Sequence, residues 1–100
     1  MKNNLEIARD KINVIDAKMI ELFKERMKAS KMVALYKREN NLDVFDSKRE
    51  GQIIDKNLNI LNDKELEKYY LIFFEGVLKA SKDYQKELIK WRNMDCLVKS

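Results

Sequence analysis

Residues 5–37 read LEIARDKINVIDAKMIELFKERMKASKMVALYK, and this stretch decides the fold. Leu5, Ala8, Ile12, Ile15, Met19, Leu22, Arg26, Ala29, Val33 and Tyr36 follow one another at alternating steps of three and four. That spacing stacks side chains along one side of an α-helix, and Ile20, Phe23 and Leu35 widen the stripe. Neither Pro nor Gly interrupts it. At about 1.5 Å per residue, some 35 residues make a rod of about 50 Å, whereas a compact 100-residue chain has a radius of gyration of about 13 Å. Such a rod overhangs a monomer and leaves apolar surface bare. The reading therefore predicts a second copy packed against the first helix.

Working outward, Asn40-Asn41 and the LDVF that follows read as a connection. Ser47-Lys48-Arg49-Glu50 matches a capping box, in which serine and glutamate satisfy each other's free backbone donors. A second helix is predicted over about 48–60, burying Ile53, Ile54, Leu58 and Leu61. Asn62-Asp63-Lys64-Glu65 repeats the start signal. The third helix then carries Leu66, Tyr70, Phe73, Phe74, Val77, Ser81, Tyr84, Leu88 and Trp91 on one side. Beyond about residue 92 the pattern fades. The expectation is one all-α domain of three helices over 1–92, with a C-terminal tail over 93–100 expected to be poorly ordered.

Composition narrows the chemistry. The 100 residues hold 21 Lys+Arg against 17 Asp+Glu, two Gly, one Cys, no Pro and no His. So few turn residues argue against hairpin-rich β architecture, and 45 % apolar content argues against disorder. The lone Cys96 can form neither an internal disulfide nor a Cys-rich metal site, which suits a reducing compartment. Without His, the Ser-His-Asp and Cys-His arrangements and His-ligated zinc are excluded. No apolar run has a signal core or the length of a membrane span, so a soluble cytoplasmic protein is expected. The net charge of +4 leaves anionic partners open.

The informative residues are polar ones on apolar faces. At 100° per residue, Arg26 and Lys37 fall within about 20° of each other, on the line of Met19 and Ile12. Cations there are costly unless an anion meets them. Intramolecular ion pairs, snorkelling to solvent and an anion site all satisfy that requirement. Arg9 lies 17 residues before Arg26, about 25 Å along the axis, so no small ligand could touch both from one helix. It is either a surface charge or a contribution from another chain. Ser81 and Gln85 form an i, i+4 pair that either faces a pocket or is satisfied locally. Asp46, Arg49 and Glu50 open the second helix, where capping and dipole compensation alone would explain them.

In order and at these distances, Arg9-x-x-Ile12-x-x-Ile15-Asp16, Leu22-x-x-x-Arg26, Lys37, Asp46-x-x-Arg49-Glu50 and Ser81-x-x-x-Gln85 resemble the all-helical, AroQ-type chorismate mutase family. The resemblance covers about residues 5–89. It implies an isomerase that rearranges chorismate to prephenate in phenylalanine and tyrosine biosynthesis, built as an intertwined helical homodimer with shared active sites. It also implies site roles. Arg26, and Arg9 from the partner subunit, would hold the two substrate carboxylates. Lys37 and Gln85 would donate hydrogen bonds to the ether oxygen of the breaking bond, with Lys37 also near a carboxylate. Glu50 and Asp46 would engage the ring hydroxyl region, and Ser81 and Arg49 would complete the carboxylate end. Lys37, Gln85, Arg26 and Glu50 are thus the expected catalytic set. No cofactor, metal, nucleic acid or membrane is implied, and no further pathway domain accompanies the motif, so a stand-alone mutase is expected. The 40–45 segment lacks the proline often found there.

The implied chemistry suits a chain without histidine. An intramolecular rearrangement needs no nucleophile and no general base. It needs a reactive conformer held in place and donors aimed at negative charge developing on an oxygen. The sister activity on the same fold, isochorismate-pyruvate lyase, is an alternative that fold alone does not exclude. A non-catalytic helical dimerisation module is another. Nucleic-acid binding ranks last, since acidic residues interrupt every run of cations.

Overall fold

The computed structural model describes the backbone of residues 1–99 and the side chains of residues 1–90. It contains three helices, α1 (Asn4–Glu39), α2 (Ser47–Leu61) and α3 (Glu67–Lys99), and no strand among the described residues. Helix α3 packs against both α1 and α2.

Each helix starts where a side-chain acceptor meets free backbone donors. Asn3 caps α1, its Oδ1 accepting from the Glu6 N–H at 2.9 Å. Asp46 caps α2, accepting from the Arg49 N–H at 3.0 Å. The capping box expected at Ser47 and Glu50 is therefore displaced by one residue. Ser47 is already helical, and Glu50 turns to Lys82 instead. An ionised carboxylate meets both the donors and the positive end of the helix dipole, so Asp46 outcompetes the neighbouring hydroxyl. Asp63 organises a turn over residues 64–66 by accepting from the Leu66 N–H at 3.3 Å, which delays α3 to Glu67 and leaves Leu66 outside it.

The helix ends are equally specified. At the end of α1, Asn41 adopts φ 54°, Leu42 N–H donates to Lys37 O at 2.8 Å and Asn41 N–H to Arg38 O at 3.4 Å. These two bonds are a Schellman motif with asparagine in the left-handed position. Asn62 ends α2 in the same region, at φ 45° and ψ 47°. Among the described residues nothing comparable interrupts α3, in which no residue adopts a left-handed φ. The limit set near residue 92 falls within that helix. The side chains of residues 91–100, Trp91 and Cys96 among them, and Ser100 altogether lie outside the described residues.

The core is small and half polar. Among the described residues, Ala34, Phe74 and Leu78 are the buried apolar side chains, and Ser30, Ser81 and Gln85 are buried beside them. The apolar stripe of α1 does not face this core. Leu5, Ile12, Ile15, Met19, Leu22, Val33 and Tyr36 are all exposed, because α3 meets the side of α1 that carries Ser30 and Ala34. Likewise Phe73 is exposed while Phe74 is buried, and Ile53, Ile54, Leu58 and Leu61 of α2 are only half-buried. The chain measures 66 × 30 × 15 Å with a radius of gyration of 18.1 Å. Its accessible surface is 8562 Å², which exceeds by roughly 2,500 Å² the value expected for a compact monomer of this mass.

Gly51 lies in the first turns of α2 with nothing within 4 Å of where a Cβ would sit. Gly51→Ala should therefore stabilise the fold by about 0.5–1 kcal/mol through lost freedom of the unfolded chain. Thermal unfolding followed by circular dichroism checks this, and an unchanged or lower midpoint would mean that α2 is packed against something at this face.

Candidate functional site

The three helices converge on a cavity of about 340 Å³. Helix α1 contributes Arg26, Ser30, Val33 and Lys37, spaced four, three and four residues apart and hence on one side. The connection and the start of α2 contribute Val44, Asp46, Arg49 and Glu50. Helix α3 contributes Leu78, Ser81, Lys82 and Gln85. Of the eight residues expected to form a site, seven line this cavity. Arg9 does not: it is exposed on the opposite half of α1.

The cations are held before any ligand arrives. The Arg26 guanidinium lies 5.7 Å from the centroid of the Phe74 ring, and its Nη1 donates to Ser81 Oγ. Stacking on the ring and anchoring one nitrogen orient the planar fork and leave its other donors toward the cavity. Lys37 is fixed by the turn it precedes. Its carbonyl accepts from Leu42 N–H, and its Nζ donates to Val44 O at 2.8 Å. An ammonium has three donors, so this contact still leaves two.

Sequence reasoning passed over two polar lining residues. Lys82 pairs with Glu50 at 3.0 Å, and its Nζ lies 5.0 Å from the Phe45 ring centroid, tying the connection and α2 to α3. Ser30 is buried, accepts from Gln85 Nε2 at 2.9 Å and reaches Ser81 O at 3.5 Å. The signal for Ser30 was present in its place four residues after Arg26 and seven before Lys37, on the line of both. Lys82 had no such signal, being one of many lysines beside an apolar face.

Four cations, Arg26, Lys37, Arg49 and Lys82, face two carboxylates, Asp46 and Glu50, giving the cavity lining a net charge of +2. Neutral donors, Ser81 and Gln85, complete it. Outside the cavity, Lys79 donates to Asp83 at 2.7 Å across one turn of α3 and holds that exposed carboxyl below its ordinary pKa. Among the described residues, no cluster of three or more His, Cys, Asp or Glu could hold a metal ion. No helix there is long and apolar enough to cross a membrane. The lining is suited to a small, doubly negative ligand held by several fixed donors.

Among known protein families, chorismate mutase type II matches residues 8–86. The chain belongs to that family. It is 37 % identical over 97 residues to a bifunctional chorismate mutase/prephenate dehydratase of Buchnera aphidicola subsp. Baizongia pistaciae, an alignment covering 95 % of this chain and 26 % of that protein. It is 34 % identical over 89 residues to a protein of the same name from Buchnera aphidicola subsp. Acyrthosiphon pisum, covering 88 % of this chain and 23 % of that one. The chain thus spans about a quarter of the length of the curated relatives it matches. No solved structure matches significantly. The matched segment contains all of the cavity lining and Arg9.

Asp46 both caps α2 and lines the cavity, and two substitutions separate these contributions. Asp46→Ala should cost about 1 kcal/mol in urea unfolding, whereas Asp46→Asn, which still caps, should cost only a few tenths. Equal losses would show that the carboxylate acts on stability through something other than the cap.

Proposed function

We propose that this chain is a chorismate mutase, converting chorismate to prephenate as a homodimer with intertwined helices and shared sites. The observation that carries the proposal is the single cavity in which Arg26, Lys37, Arg49, Ser81 and Gln85 meet with a net positive lining, within a segment that belongs to the mutase family. Chorismate is a dianion. Arg26 presents a fork oriented by Phe74 and Ser81 to one carboxylate, and Arg49, also on the cavity lining, is assigned to the same end. The partner subunit is proposed to supply the cation for the other carboxylate through Arg9, which its own chain leaves exposed.

In the rearrangement one C–O bond breaks as one C–C bond forms within the same molecule, and no proton or electron is exchanged with the protein. Two devices then account for the rate. Clamping both carboxylates restricts the substrate to the conformer in which the bond-forming carbons meet. Lys37 and Gln85 donate to the ether oxygen as it gains negative charge, and a donor aimed at such charge contributes about 3–4 kcal/mol. Glu50, held by Lys82, and Asp46 are assigned to the ring hydroxyl.

The dimer is supported by surface that the chain cannot cover. Leu5, Ile12, Ile15, Met19, Ile20, Leu22 and Phe23 form an exposed apolar band along α1. The excess surface of roughly 2,500 Å² per chain, about 5,000 Å² for two, matches the large end of obligate homodimer interfaces.

Purified protein incubated with chorismate should form prephenate without added cofactor. Lys37→Ala should lower kcat/KM at least about 10²-fold with the helical circular dichroism intact. Pyruvate released from isochorismate, without prephenate from chorismate, would replace this reading with the lyase. Full activity of Lys37→Ala would contradict the role assigned to that ammonium.

A further inference from the structure

Ser30 and Gln85 are 6 % and 8 % exposed, and they face each other across the α1–α3 seam. The Gln85 amide donates through Nε2 to Ser30 Oγ at 2.9 Å, while its Oε1 is buried without a partner. A buried carbonyl oxygen with no donor is unfavourable and calls for a reason. The Ser30 hydroxyl, for its part, reaches only the Ser81 carbonyl, at 3.5 Å, the outer limit of a hydrogen bond.

A half-turn of the terminal amide gives Oε1 a donor in the Ser30 hydroxyl and moves the NH₂ into the unpartnered position, where it calls for an acceptor. A hydroxyl is donor and acceptor alike, and an amide carries one of each at its two ends. In the rotated arrangement, Ser30 O–H donates to Gln85 Oε1, the orphan acceptor disappears, and the NH₂ becomes the free end. We infer that Ser30 is a positioning residue that selects which end of the Gln85 amide meets the ligand, accepting from Nε2 in the empty site and donating to Oε1 when a ligand oxygen takes the NH₂. The inference rests on the mutase reading, in which that ligand oxygen is the ether oxygen. Ser30 touches neither reacting atom in this scheme; it acts through Gln85.

Two measurements test it, one of them independent of catalysis. In Gln85→Glu, the introduced carboxylate can only accept, so a donating Ser30 hydroxyl stabilises its ionised form and lowers its pKa. Arg26 and Lys37 on α1, Asp46, Arg49 and Glu50 at the start of α2, and Lys82 on α3 also bear on that carboxyl, but they are common to both backgrounds. Adding Ser30→Ala should therefore raise the carboxyl pKa by about one unit, read by carbon NMR titration. A pKa unchanged by Ser30→Ala would overturn the inference.

In the otherwise native enzyme, Ser30→Ala should reduce kcat about tenfold with KM within about twofold, and Ser30→Thr, which keeps the hydroxyl, should restore most of it. Equal kcat in Ser30→Ala and the native enzyme would also overturn it, as would loss in both variants with native thermal midpoints. If the native chain forms no prephenate, the mutase reading fails, and the NMR titration still decides whether Ser30 donates.

Discussion

Helix α1 extends over 36 residues, about 54 Å at 1.5 Å per residue, yet every residue before Arg26 is exposed. Helices this long are held mainly by tertiary packing of an apolar face, and here the face from Leu5 to Phe23 has no partner among the described residues. That mismatch shapes the rest. It divides α1 into a covered end, which carries Arg26, Ser30 and Lys37, and a bare end, which carries Arg9. It explains an extended shape with little apolar core. Under the proposed dimer it also brings the bare end of one chain to the cavity of the other, the geometry a dianion needs if two arginines 17 residues apart are to hold it.

The cavity is built from interactions that serve fold and chemistry together. Arg26 bridges α1 to α3 through Phe74 and Ser81. Lys37 closes the turn after α1 through Val44. Asp46 starts α2, and the Glu50–Lys82 pair ties α2 to α3. Each of these groups would be costly to bury alone, and each is oriented by a neighbour before a ligand enters. Preorganisation of this kind is the contribution expected of a protein under the proposed reaction, which requires neither nucleophile nor general base.

The helical period of α1, its uninterrupted length and the cations on its seam were all legible in the sequence, because each depends only on spacing along one element. So were seven of the residues that line the cavity, although the roles proposed for them came through resemblance rather than periodicity. What was misread depended on competition between neighbours. Asp46 and Ser47 are both good caps, and only the backbone decides between them. Leu66 looked helical until Asp63 drew it into a turn. The stripe through Ile12, Met19 and Val33 is bare within the chain, as the length of the rod implies, but its spacing does not tell that α3 covers the side of Ser30 and Ala34. Period identifies a face without saying which chain covers it. Ser30 shares the line of Arg26 and Lys37, but nothing in the sequence points to the Gln85 amide it meets across the seam.

The central claim, that Arg9 of one chain completes the site built by the other, is tested most directly by mixing subunits. Arg9→Ala and Lys37→Ala should each be inactive alone. Unfolded together and refolded, they should recover about one quarter of native activity, since half of the dimers are mixed and each mixed dimer has one intact site. No recovery, with mixed dimers verified by native mass spectrometry, would contradict the shared site.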